Sequence, residues 1–407
     1  VTARIGPARA LAGTRWGEPL LAALIAGVSA AILVAVGPPP EDAPVHLYRT
    51  FLVRQGAIVW DNLWYSGHYP LSYGILFPGI AAVVGNQILV VVGAVLSAAI
   101  FAMICMHEFG DAARWPARIF GVLAAAPLFT GLDSYSLGLA TLLGVLLAAQ
   151  SRRPRAAGVL CVATVAFSPL AFAFLCVIIG ALGFVRRARS RDHQMELGLG
   201  LGMALAGALF VGVLLAFPNG GIYPFNGWDL LAVLGLCVAG GALALRDRRG
   251  RVIAAILALW GAACVVSFAL PSPLGDNIAR LRGLALPVVL LAALLAGFRP
   301  RWLTVIALTL ALANNVVPYL MLFPDQANRR PSRASFWAPS IDYLRARLRP
   351  GDRVEVVPTA AHWEAYFLPR AGLPLARGWF RQLDPPSLYD GRLDAVTYLG
   401  WLRRSPA

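Results

Sequence analysis

Long, nearly uncharged apolar runs separated by short polar turns dominate the chain from residue 19 to residue 323. A helix that crosses a bilayer needs about 20 apolar residues, so these runs predict crossings over 19–36, 88–106, 116–131, 135–150, 196–217, 228–245, 252–270, 284–298 and 302–323. The run 156–184 is longer and carries Ser168-Pro169 at its middle, where proline breaks a helix. Its two flanks are both rich in arginine, so it is expected to cross an even number of times, as two short half-helices. Nine runs and two half-helices give about eleven transmembrane helices, an all-α polytopic membrane protein.

Two segments break this pattern. Residues 37–87 form a long polar and aromatic loop after the first helix, and the sequence turns polar again after Pro324. In that tail the periodicity predicts a helix around 336–348, a strand at 353–357, a helix over 362–368 and another near 394–403. The expected division is a membrane domain over 1–324 and a small external α/β domain over 325–407. About 80 residues lie near the lower limit for an independent core, so the tail is expected to lean on the membrane part.

Composition agrees with this class. The 407 residues are 58% hydrophobic and only 14% charged, with a mean hydropathy of +0.68; a soluble domain carries about a quarter charged residues. The net charge of +15 would suggest a nucleic-acid partner in a soluble chain. Here the arginines sit in short loops between apolar runs, which excludes that reading in favour of helix orientation. Every basic residue is arginine, a composition expected of high-GC coding and an actinobacterial kind of source. The five cysteines all lie inside apolar runs without metal-binding spacing and read as packing residues. Gly198, Gly200, Gly202 and Gly207 superficially resemble a nucleotide fingerprint, but no strand precedes them, so they read as close helix packing.

The short basic loops at 151–155, 186–191, 246–251 and 299–301 are expected in the cytoplasm, together with an N-terminus carrying Arg4, Arg9 and Arg15. No small-residue cleavage site follows the first helix, which is therefore expected to be retained. Counting crossings then puts 37–87, the turn 131–134, the loops 218–227 and 271–283, and the tail on the outer face of a plasma membrane. An outer loop should be poor in arginine, yet PSPLGDNIARLRG (271–283) carries Arg280 and Arg282. Those two need another reason to be there.

The other unusual stretch is PPPEDAPVHLYRT, just past the first helix, with Glu41, Asp42 and His46 close together. The acidic pair would favour a helix N-terminus, and His46, one turn after Asp42, could pair with it. Trp60, Trp64, Tyr65, Tyr69 and Tyr73 read as an aromatic belt at the membrane surface. Asp61 is placed either to cap the following turn or to serve the site, and Asp133 stands in a tight outer turn.

An N-terminal helix, a long outer loop with acidic residues, many further helices and an outer C-terminal domain together resemble the GT-C superfamily of membrane glycosyltransferases. At closer range EDAPVHLYRTFLVRQGAIVWDNLWYSG, GDNIARLRG and RVEVVPTAAHWEAYFLPRAGLPLARGWFRQLD are similar to a group of actinobacterial membrane proteins catalogued as related to 6-pyruvoyl-tetrahydropterin synthase. The sequence has no histidine cluster of the kind a zinc-dependent synthase requires, so that label implies no pterin chemistry. The GT-C resemblance implies that Asp42 is the catalytic carboxylate of the first loop, with Glu41 as neighbour and substitute. It further implies that Asp133 is the second acidic site and that Arg280 and Arg282 hold the phosphate of a polyprenyl-phosphate sugar. His46 and Asp61 join them as candidate substrate-binding residues.

The chemistry these residues would perform is inverting transfer. A carboxylate takes the proton of an acceptor hydroxyl as it attacks the anomeric carbon, and guanidinium forks hold the leaving phosphate. A divalent cation bridging Asp42, Asp133 and the phosphate is compatible with the resemblance, but no ligand spacing requires one, and no metal site is expected. The expected partners are a polyprenyl-phosphate-linked sugar and the lipid bilayer. Two other classes stay open: a transporter, disfavoured by helices nearly free of charge and by the absence of paired repeats, and a non-catalytic scaffold of envelope assembly with the same architecture.

Overall fold

The computed structural model describes residues 16–186, 193–218, 220–380, 383 and 395–404. Arg4, Arg9, Arg15 and the basic stretch 187–191 lie outside them. The chain opens with α1 (Gly17–Val36), α2 (Ala43–Arg54), α3 (Leu76–Val84), α4 (Asn86–Phe109), α5 (Arg114–Leu123), α6 (Pro127–Thr130) and α7 (Asp133–Gln150). There follow α8 (Pro154–Phe167), α9 (Pro169–Arg186), α10 (His193–Ala216), α11 (Gly227–Ala244), α12 (Arg251–Ala269), α13 (Ala285–Leu295) and α14 (Arg301–Ala327). The tail adds α15 (Ala334–Arg345), α16 (Glu364–Arg370) and α17 (Ala395–Arg404).

Among the described residues seven helical segments are long and apolar enough to cross a membrane: 17–36, 86–130, 193–216, 227–244, 248–269, 275–295 and 301–327. Two shorter apolar helices, 154–167 and 169–185, accompany them. The chain is thus all-α and polytopic, with nine such segments beside an expected count of about eleven. The run expected to cross at 116–131 is divided into the ten-residue α5, a turn at 124–126 and the single-turn α6, and at 1.5 Å per residue α5 is too short to span alone. The other expected break holds its place: Ser168 is extended between α8 and α9, and its Oγ accepts the Ala171 amide at 3.2 Å to start the new helix. The Ile75 amide donates to the Ala166 carbonyl at 2.8 Å, so this break sits against the first loop.

Close helix contact explains two of the four glycines of 198–207. A Cβ on Gly202 would lie 2.5 Å from the Gly158 Cα, and one on Gly198 would lie 2.6 Å from the Pro154 Cβ, whereas Gly200 and Gly207 have open space. Small residues thus let α8 and α10 approach backbone to backbone, as in membrane helix pairs generally.

The expected tail strand is reduced to a bridge. Val354 pairs in parallel with Leu375, its amide donating to the Pro374 carbonyl at 2.8 Å and its carbonyl accepting the Ala376 amide at 2.9 Å, and no strand forms among the described residues. The tail is consequently helical and loop-rich, and it shares one apolar core with the first loop. Tyr48, Leu52 and Trp64 from the loop pack with Trp337, Trp363, Leu368, Leu375 and Phe380 from the tail. The Trp64 indole donates to the Ala365 carbonyl at 3.0 Å, the Tyr65 hydroxyl to the Phe380 carbonyl at 2.7 Å, and the Leu375 amide to the Leu63 carbonyl at 2.8 Å. Trp64 drops out of the belt expected of the loop aromatics, because it is fully buried, stacked on Tyr48 at 4.5 Å and on His68 at 4.9 Å, whereas Trp60 stays 45% exposed.

Candidate functional site

The site forms where the loop end of the helix bundle meets the tail. Asp42 takes the position before the first residue of α2, yet its side chain makes no capping hydrogen bond. It turns instead to Arg280, whose Nη1 lies 3.5 Å from Asp42 Oδ2. Asp42 is 8% exposed. Burial pushes its carboxyl above the usual range, and the nearby Arg280 and His362 act in the opposite direction. The helix-start explanation of this acidic residue is thereby replaced by a long-range ion pair.

Asp133 lies directly behind Asp42 because the backbone is brought unusually close. The Asp42 amide donates to the Thr130 carbonyl at 3.0 Å, and Gly131, with φ at +80°, faces the Asp42 amide where a Cβ would stand 2.5 Å away. Only glycine fits both the left-handed turn and that contact. The Asp133 Oδ2 accepts from Asn86 Nδ2 at 3.2 Å, and Asn86 Oδ1 in turn accepts the Thr50 hydroxyl at 3.0 Å, which ties α7, α4 and α2 together. Asp133 stands ahead of the apolar run 135–150, and burial first, then the charge of Asp42, brings its carboxyl up to about 7. Glu41 is likewise raised to about 7 by burial, with Asp42 and Asp325 adding to the effect.

Arg280 and Arg282 lie on a ten-residue 3-10 turn, 275–284, held from three sides. The Trp260 indole donates to the Ile278 carbonyl at 2.8 Å and the Ser267 hydroxyl to the Gly275 carbonyl at 2.8 Å. Asn315 of α14 donates to the carbonyls of Arg282 and Gly283 at 3.0 and 3.2 Å and accepts the Leu286 amide at 2.8 Å, which closes the turn into α13. With three residues per turn, positions two apart diverge around the axis. Arg280 accordingly meets Asp42, whereas Arg282 Nη1 meets Asp229 Oδ1 at 3.4 Å at the head of α11. The two do not form one fork.

His46 and Asp61 have different surroundings. His46 is 1% exposed and stands edge-on to Phe77 at 5.8 Å. Burial, then the charges of Arg49 and Arg280, bring its pKa down to about 3, so it is neutral at ordinary pH and offers Asp42 no cation. Asp61 belongs to the loop–tail core: it accepts the Tyr48 hydroxyl at 3.0 Å and the Leu63 amide at 3.2 Å, and its backbone pairs with His68. Asp61 thus caps the turn that follows it, away from the Asp42 group.

The tail contributes His362 and Glu364, which the sequence allows as acceptor contacts but reads first as that segment's own hydrogen bonding. His362 Nδ1 lies 3.1 Å from Glu364 Oε1, and Glu364, 2% exposed, also accepts the Thr359 hydroxyl at 2.6 Å and the Thr359 amide at 3.2 Å. Burial would raise the Glu364 carboxyl, but the hydrogen bonds from His362 and Thr359 prevail and hold it below the ordinary value. The turn carrying His362 packs against α2 and α14. Ala361 and His362 both have positive φ, 55° and 56°, a conformation that costs roughly 1–2 kcal/mol per non-glycine residue. Asn86 and Asn315 were overlooked. A polar side chain inside an apolar run was the available signal for Asn315, while nothing local marks Asn86.

Among the described residues no group of three or more His, Cys, Asp or Glu is arranged to hold a metal ion. Asp42 acts electrostatically on Asp133, and the Arg280 guanidinium contacts Asp42. The arrangement is instead two buried carboxyls, a guanidinium and a Glu–His pair, able to accept a proton and to hold an oxyanion.

No family model and no curated protein matches the sequence. Among solved structures the chain is similar to the oligosaccharyltransferase of Archaeoglobus fulgidus in its apo form, with a TM-score of 0.53 and 13% identity. The likeness covers 90% of this chain and 65% of that one, so the chain spans about two thirds of the neighbour's length. At that identity the likeness speaks for the fold alone.

Proposed function

We propose that this protein is an inverting membrane glycosyltransferase that moves a sugar from a polyprenyl-phosphate donor to an acceptor hydroxyl. The acceptor would be an envelope glycan, lipid or protein on the outer face of the plasma membrane. The observation that carries this reading is the Arg280–Asp42 contact, 3.5 Å across, with Asp133 behind it at the loop end of a GT-C-type bundle.

In the transfer, the acceptor oxygen attacks the anomeric carbon, the bond from that carbon to the donor phosphate breaks, and the phosphate leaves with the electron pair. Asp42 takes the hydroxyl proton. Arg280 holds the phosphate as its charge grows. Arg282, directed to Asp229, shapes the turn rather than sharing the phosphate. A lipid donor also needs an apolar berth. A cavity of about 210 Å³ between α4, α7, α9, α12 and α13 includes Leu281 and Leu284 of the arginine turn in its lining, which is apolar apart from Glu108 and Gln150, and this suits a lipid chain.

The test is transfer from a radiolabelled polyprenyl-phosphate sugar by the purified protein in lipid nanodiscs. Transfer by the wild type, lost in Asp42→Asn without loss of folding, is the expected result. Full transfer by Asp42→Asn would remove Asp42 as the base, and no transfer from any polyprenyl-phosphate hexose or pentose would overturn the glycosyltransferase reading.

A further inference from the structure

At the end of the bundle away from Asp42, a cavity of about 890 Å³ lies where α1 begins, α4 ends, α5 begins and α7 ends. Asp42 follows the end of α1 and Asp133 opens α7, so the length of a spanning helix, about 30 Å for the 20 residues of α1, separates the two places. The lining is layered. Glu18, His107 and Ser151 stand at the helix ends, and Leu21, Met103 and Leu147 each lie about one turn further into the bundle on the same three helices. A polar layer at the end with an apolar layer one turn in matches the boundary between water and hydrocarbon. Trp16, Arg114 and Arg153 of the lining are exposed, so the cavity reaches the surface, and Leu20 and Leu24 leave the outer side of α1 bare and apolar, as a helix facing lipid would be.

The charges in the polar layer do not cancel. Glu18 Oε1 and Oε2 accept Arg118 Nη2 and Nε at 2.6 and 3.0 Å, which fastens α1 to α5, and Arg114 Nη2 lies 2.9 Å from Asp111 Oδ1. Both carboxylates of the lining are thus matched by guanidiniums. Arg153 is brought to the rim by the turn after α7, where Arg152 has a φ of +52° and the Arg153 amide donates to the Ala148 carbonyl at 2.9 Å. Among the described residues its guanidinium makes no ion pair. A cationic ligand would therefore meet no unmatched carboxylate, whereas an anionic one meets Arg153 and the Ser151 hydroxyl.

We propose that this cavity binds an anionic phospholipid, with its phosphodiester on Arg153 and Ser151 and its acyl carbons against Leu21, Met103 and Leu147. A soluble phosphate ester would use only the polar layer, and an uncharged lipid would leave Arg153 unused. The combination of a surplus guanidinium and an apolar layer one turn deeper selects a ligand that has both parts. Because α1, α4, α5 and α7 all line the cavity, the bound lipid fastens the first half of the bundle at this end. The site is remote from Asp42 and does not depend on how that group is used.

Full-length protein is placed in phosphatidylcholine nanodiscs containing rising fractions of phosphatidylglycerol, and Tm is measured at each fraction. A ligand that binds only the folded state raises Tm by mass action, so Tm should climb and then saturate. Arg153→Gln should need about tenfold more phosphatidylglycerol for the same rise, the scale for losing a hydrogen bond to a charged group. Arg155→Gln is the control: Arg155 is exposed two residues away but does not line the cavity, and its loss should leave the titration as in the wild type. Leu147→Trp, which fills the apolar layer and keeps every charge, should abolish the saturable rise while melting in pure phosphatidylcholine no lower than the wild type. A Tm that does not respond to phosphatidylglycerol overturns the site. Equal weakening in Arg153→Gln and Arg155→Gln also overturns it, because diffuse attraction of the basic loop would then explain the effect. The same rise from millimolar inorganic phosphate or glycerol 3-phosphate in phosphatidylcholine discs overturns the lipid assignment in favour of a soluble phosphate ester.

Discussion

Arg280 Nη1 and Asp42 Oδ2 face each other at 3.5 Å, one on the 3-10 turn that leads into α13 and the other at the head of α2. In the transfer reading this one contact joins the group that holds the leaving phosphate to the group that takes the proton. Arg280→Ala should therefore lower kcat/KM on the order of a hundredfold, the scale for losing one charge-stabilising donor. Arg280→Lys should recover only part of it, since an ammonium keeps the charge but not the planar fork. Equal activity of Lys and wild type would show that charge alone matters.

The pH dependence of transfer follows from the same pair. Burial raises the Asp42 carboxyl while Arg280 and His362 offset it, and only the ionised form accepts a proton. Activity should fall toward acid with a limb above the ordinary carboxylate range. Arg280→Ala removes an offsetting charge, so the limb should move to still higher pH. A pH–kcat profile of the residual activity measures this, and a limb that moves down would place the responsible base elsewhere.

Stability should depend on pH in the opposite sense to activity. Asp133 and Glu41 both have folded-state pKa values near 7, above those of an unfolded chain. Across that window the folded state binds more protons than the unfolded one, so stability is greatest below the unfolded values and is lost as pH rises through about 7. Thermal melting in nanodiscs should give a lower Tm at about pH 8 than at about pH 5. Asp133→Asn should flatten the difference, because the amide mimics the neutral acid and can still meet Asn86. A wild-type Tm that rises over this interval would contradict the assignment.

Much of this was legible in the sequence where one residue type has one plausible use. Ser168-Pro169 marked a helix break, Gly198 and Gly202 marked close packing, and two arginines in a loop expected to lack them marked the 275–284 turn. Asp42 stood out because charge is rare in so apolar a chain. What stayed hidden depends on direction in space. Arg280 and Arg282 look equivalent in sequence, yet a 3-10 turn sends them to different partners, Asp42 and Asp229. Asp61 and Asp133 look alike as lone loop carboxylates, and only the approach of Gly131 to the Asp42 amide separates the one at the site from the one in the loop–tail core. The 353–357 segment has the alternation of a strand but gains a single bridge, because the tail buries its apolar face against Trp64 and Tyr48 instead of against a sheet.

That last substitution of partners predicts how the tail is held. Trp64 is fully buried between Tyr48 and His68, packs against Phe380 at 6.0 Å, and donates to the Ala365 carbonyl. Trp64→Ala should cost about 3–5 kcal/mol, the range for emptying a large aromatic site, and Trp64→Phe, which keeps much of the ring but loses the hydrogen bond, about 1 kcal/mol. The loss should be local, because the helices of the membrane part have their own apolar core. Limited proteolysis should therefore cut Trp64→Ala within the tail while the helices over 86–186 and 227–323 remain protected. Gly378→Ala should act in the same way, since its Cβ would lie 2.5 Å from Tyr65 and 2.8 Å from Trp64. If both variants resist protease as the wild type does, the tail is held by something other than this aromatic contact. If they release the tail, transfer should fall with it, because His362 and Glu364 reach the head of α2 only while the tail is docked.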